Sequence, residues 1–86
     1  MNLKGIYYKE PKVLEIWDEK EKVHTAIVEE GEDFWTGANI HGVEYDINLW
    51  VDMSEKPCLA IYDCEKIDEN TYKTTYFITG LNLKVV

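Results

Sequence analysis

Residues 33–50 read DFWTGANIHGVEYDINLW, and no other stretch constrains the fold as much. Apolar and polar residues alternate at period two up to His41-Gly42 and away from it again, the mark of two half-buried strands. A two-residue loop ending in glycine suits a primed hairpin turn, whose twist matches that of its strands. Histidine at the first loop position tolerates a positive φ better than most residues. Closing the hairpin there pairs Ile40 with Val43, Ala38 with Tyr45, Thr36 with Ile47 and Phe34 with Leu49. All eight then share one face, so the turn and the hydrophobic pattern specify the same register.

That register has a consequence for the opposite face. Trp35 falls opposite Asn48 and Asp33 opposite Trp50, with Gly37, Asn39, Glu44 and Asp46 around them. The two largest apolar side chains of the hairpin therefore stand on its polar side. One reading covers both rings with a second layer of a closed barrel or with the N-terminal hairpin, each indole N–H bonded locally; it is the preferred one. The other leaves an exposed aromatic platform rimmed by acids, a composition suited to a protein-binding hot spot. Stacking on nucleobases is a third use of such rings, and the charge of the chain opposes it.

The rest of the chain carries the same strand signals, with turn residues at short intervals. Strands are expected at 3–8, ended by Pro11, and at 12–17 and 23–29, joined through the charged loop DEKEK. In that hairpin Trp17 is placed opposite Val23, so that Val13, Trp17, Val23 and Ile27 share a face. Strands at 58–67 and 71–79 flank a three-residue loop, DEN, with Asn70 left-handed, Glu65 opposite Lys73 and Tyr62 opposite Tyr76. LNLKVV, residues 81–86, supplies a last strand. A short helix has room only in DEKEK or VDMSEK. The expectation is one all-β domain over residues 1–86, with seven to eight antiparallel strands in a meander, forming a small barrel or a strongly curved sheet.

Charge narrows the function. The chain of 86 residues has 17 acidic residues and nine basic ones, a net charge of −8, and every basic residue is lysine. Phosphate and base-edge recognition lean on arginine forks and a positive field, so direct nucleic-acid binding and anionic membranes are disfavoured. Between residues 10 and 33 nine acids face three lysines, and between 34 and 66 six acids face two, which concentrates the negative charge in the first two-thirds of the chain. MNLKGIYYKE lacks the apolar core of a secretion signal, and no apolar run approaches the ~18 residues of a spanning helix; a cytoplasmic location is expected.

Chemistry-bearing constellations are sparse. Cys58 and Cys64 lie six residues apart on one expected strand, about 20 Å at strand rise, too far for a disulfide; both read as free thiols. His24, His41 and the cysteines show no metal-ligand spacing, and EEGED lacks the alternating ligands of a calcium loop. No nucleophile elbow or phosphate-cradling glycine loop is present. No enzyme activity, cofactor or metal is expected.

What remains is a compact, acidic, arginine-free β-domain able to present carboxylates to a groove that otherwise holds phosphates. Its size, acidity and Asn/Lys/Ile-rich usage resemble those of small phage-encoded inhibitors, including DNA mimics and anti-CRISPR proteins. That resemblance implies a non-enzymatic inhibitor docking on a basic partner, such as a nucleic-acid-binding protein. The contacting residues expected are Glu29, Glu30, Glu32, Asp33, Glu44 and Asp46, with Trp35 and Trp50 as anchors. The alternative is an OB- or SH3-like accessory barrel taking a ligand or a single strand on its aromatic face. Edge pairing through LNLKVV or residues 3–8 would instead build a homodimer.

Overall fold

A computed structural model of the chain describes residues 2–29, 33–78 and 83–86, with the side chains of 64–66, 72 and 74–78 excepted. It is all-β. Eight strands follow in order: β1 (Leu3–Tyr8), β2 (Val13–Asp18), β3 (Glu21–Ile27), β4 (Asp33–Ile40), β5 (Val43–Val51), β6 (Pro57–Asp68), β7 (Thr71–Ile78) and β8 (Leu83–Val85). They form two four-stranded sheets, ordered β3-β2-β1-β8 (sheet A) and β4-β5-β6-β7 (sheet B).

The barrel is therefore not what forms. Each sheet is a local meander, and β8 returns to sheet A, where it runs parallel to β1 with Gly5 opposite Leu83. The expectation of uniformly antiparallel strands fails at this one pairing. It also makes β1 an interior strand, flanked by β2 and, at Gly5–Tyr7, by β8.

The inner faces of the two sheets pool one core. Leu3, Leu14 and Ile16 come from sheet A; Ala38, Ile40, Tyr45, Ile47, Leu49, Leu59 and Ile61 come from sheet B. Gly5 sets how closely the layers approach, because a Cβ there would lie 2.4 Å from Cδ2 of Leu59. Leu59 thus packs onto the bare backbone of β1, and any larger residue at position 5 would force the Leu59 side chain to move.

The β4–β5 hairpin has the expected register at every pair, from Ile40–Val43 to Asp33–Trp50. Its turn has φ of 53° at His41 and 85° at Gly42, both positive, as the primed turn requires.

The other hairpins deviate through extra residues. In β2–β3 the register shifts beyond Ile16, so Trp17 lies opposite Lys22 and Ile16 opposite His24. Val23 is the residue left unpaired, a bulge. The core face of β2 is consequently Leu14 and Ile16, both fully buried, whereas Val13 and Trp17 stand on the outer face. The strands also consume most of DEKEK, leaving a two-residue turn at Glu19 (φ 53°) and Lys20.

In β6–β7 Glu65 does oppose Lys73, but a shift between Asp63 and Cys64 moves Tyr62 opposite Phe77 rather than Tyr76. The loop there is Glu69-Asn70, and Asn70 is not among the left-handed residues described. Instead its amide donates to Oδ1 of Asp68. Residues 52–56 form a turn closed by the Asp52 carboxylate, which accepts from the amides of Ser54 and Lys56 and from the Ser54 hydroxyl. These bonds, that from Lys56 foremost, hold Asp52 below the ordinary carboxylate range. No helix occurs among the described residues.

Candidate functional site

The outer face of sheet B carries the residues singled out from the sequence. Asp33 and Trp35 sit on β4; Glu44, Asp46 and Trp50 sit on β5. Because β5 is interior, β6 adds a third row: Tyr62 beside Asp46, Ala60 beside Asn48 and Cys58 beside Trp50. Among the described residues no other layer is paired to this face, and Trp35 is 54% exposed.

Trp35 stacks on Tyr62, with ring centroids 5.8 Å apart and planes inclined by 21°. β4 and β6 are two strands apart, ~9.6 Å at ordinary spacing, so the rings lean toward each other across β5. Beneath them Ala60 and Asn48 are buried. The aromatic partner of Trp35 is therefore Tyr62, a residue the sequence reading did not select. Its register depends on the five-residue turn between β5 and β6, which the alternation pattern alone does not fix. Trp50 is half-buried at the end of β5.

A polar network orients the exposed indole. Nε1 of Trp35 donates to Oδ2 of Asp33 at 3.1 Å. The Asn48 amide donates to Oδ1 of the same carboxylate and to the Phe34 carbonyl. Both oxygens of Asp33 are thus engaged, and the residue clamps Trp35. Glu44 accepts from Asn39 at 3.1 Å. Asp46 is different: it is exposed and has no hydrogen-bond or ion-pair partner among the described residues.

The remaining predicted contacts divide. Glu29 is exposed and lies in the connection between β3 and β4, outside the strands that form this face. Glu30 and Glu32 lie outside the described residues. The thiol of Cys58 is free and donates weakly toward the Lys56 carbonyl and Asp52, while the side chain of Cys64 lies outside the described residues. Among the described residues no three His, Cys, Asp or Glu side chains gather as a metal site.

The candidate site is the acidic, aromatic outer face of a four-stranded sheet in a two-sheet β fold. Compared with protein-family models, with curated proteins and with solved structures, the chain matches none.

Proposed function

We propose that the chain is a non-enzymatic acidic protein-binding module that docks the outer face of sheet B on a basic protein surface. The observation carrying this reading is a half-exposed Trp35, braced on Tyr62 and clamped by Asp33, close to an unpartnered Asp46. A rigid aromatic beside a carboxylate offers both halves of what a lysine or arginine side chain takes: a π face and a counter-charge. β4 and β5 contain no lysine, so nothing on either strand neutralises the face internally.

The partner class follows from the charge. A surface that normally holds nucleic-acid phosphates presents clustered cations, and a protein with net charge −8 approaches it faster and more selectively than a neutral one. Inhibition by occupying such a groove, in the manner of a nucleic-acid mimic or an anti-CRISPR protein, is the biological form this docking would take.

The test is capture of purified basic nucleic-acid-binding proteins by the immobilised chain. Binding at low salt should be lost near about 0.5 M salt, where surface charges are screened, and lost in Trp35→Ala and Asp46→Asn. Binding that survives such salt, or ignores both substitutions, overturns the reading. An oligonucleotide that changes Trp35 fluorescence in place of a basic protein would favour the single-strand alternative.

A further inference from the structure

Sheet edges expose rows of N–H and C=O groups, and folded proteins blunt them with bulges, charges, proline or brevity. Three of the four edges here are blunted. β3 carries Glu21 and Lys22 and the bulged Val23. β7 contains Lys73 and pairs through two register shifts. β8 is three residues long. β4 has no such device: eight residues pair with β5 without a shift, with no proline or lysine, and its one charge is Asp33 at the start.

The orientation of its free groups follows from the turn. Ile40 and Val43 close a two-residue hairpin and so form a hydrogen-bonded pair; alternate residues back along β4 also turn their backbone toward β5. Asp33, Trp35, Gly37 and Asn39 therefore direct N–H and C=O to the open side. Among the described residues β4 pairs with β5 alone.

We infer that this edge receives an extended segment of the partner, added as a fifth strand of sheet B and basic at alternate positions. The inference rests on the proposed docking of the acidic face and specifies how the partner enters it. Charge complementarity and Gly37 carry it. A Cβ at position 37 would meet nothing nearer than the Tyr45 carbonyl at 3.9 Å, so the outer face has a gap there. Directly across the gap lies Asp46, the register partner of Gly37 and a carboxylate without a partner among the described residues. A long cationic side chain from the added strand crosses the gap beside Trp35 and reaches Asp46. A second copy of this chain has no cation on β4 to place there.

The probe is an acetylated, amidated heptapeptide alternating valine and arginine, compared by titration with two N-methylated forms of equal charge. With arginines outward, their N–H groups face β4, so methylation at the arginines should weaken binding at least tenfold, whereas methylation at the valines should leave it unchanged. Gly37→Pro, tolerable where the N–H faces solvent, should weaken the unmethylated peptide tenfold, and the Trp35 and Gly37 amides should gain exchange protection on binding. Equal affinity of all three peptides, with loss in Asp46→Asn, overturns strand addition and leaves face docking standing. Equal affinities that also ignore Asp46→Asn overturn both. A concentration-dependent dimer abolished by Gly37→Pro makes a second copy the occupant and overturns the inference.

Discussion

The two outer faces of the molecule use the same local device to opposite ends. On sheet A, Trp17 donates its indole N–H to Glu15, two residues back on β2, at 3.1 Å. On sheet B, Trp35 donates to Asp33, two residues back on β4, at the same distance. Around Glu15 the face is complete: the Tyr8 hydroxyl donates to it and the Lys22 ammonium sits 3.6 Å away. Lys4 and Lys22 flank Trp17 on the neighbouring strands. Trp35 is flanked by no lysine on its neighbouring strand, is more exposed, and has an unpaired carboxylate nearby. Sheet A shows a tryptophan–carboxylate pair with a cation beside it; on sheet B the pair is held by neutral donors, and it is the nearby Asp46 that has no partner among the described residues.

The strongest way to break this contrast removes the layer on which both faces stand. Ile47→Ala leaves a cavity in the shared core and should cost about 2–5 kcal/mol, read by urea denaturation, with both faces lost together. Next in size is a double dissociation between the tryptophans. Trp35→Ala should weaken binding of a basic partner by about 2 kcal/mol or more while changing stability little. Trp17→Ala, which removes a half-buried ring, should lower stability and leave binding intact; if Trp17→Ala abolishes binding instead, the wrong face has been assigned.

Acidification separates the sheets more gently. His24, on the inner face of β3, has its Nε2 buried without a partner among the described residues, and burial pushes its pKa below the usual 6.5. The unfolded chain therefore binds a proton first, and stability present above pH 6.5 should decline as pH falls through that value toward the lower folded pKa. His24→Gln should flatten the decline in a denaturation series from pH 7.5 to about 5. Glu15 acts lower: the indole of Trp17, chiefly, holds its pKa below 4.5, so its contribution is present above that value and fades beneath it. The smallest effect belongs to Lys22→Ala, expected to change stability by less than about 1 kcal/mol because the pair it breaks is solvent-screened.

Legibility from sequence tracked how locally each feature is determined. Phe34 to Leu49 could be placed because a two-residue turn leaves no freedom of register. Trp17 could not, because nothing in EKVHTAI announces that Val23 will be skipped. Tyr62 was missed for a similar reason: the Asp52 turn sets its register through side-chain bonds that composition does not encode. The division into two layers rests on contacts such as Gly5 with Leu59, more than fifty residues apart, and the sequence shows only that both are strand residues. Asp46 was legible as an acid on the right face. That it would be the one without a partner there, while Asp33 and Glu44 are occupied, required the side-chain network.

The parallel return of β8 onto β1 also orders events during synthesis. β4 to β7 form a sheet from neighbouring segments, whereas β1 must keep one flank open until a strand almost eighty residues downstream has been made. Contacts of such sequence separation are formed slowly. On a ribosome β1–β3 emerge first and can pair locally, β4–β7 follow, and sheet A gains its fourth strand only when Leu83–Val85 pair alongside Gly5–Tyr7.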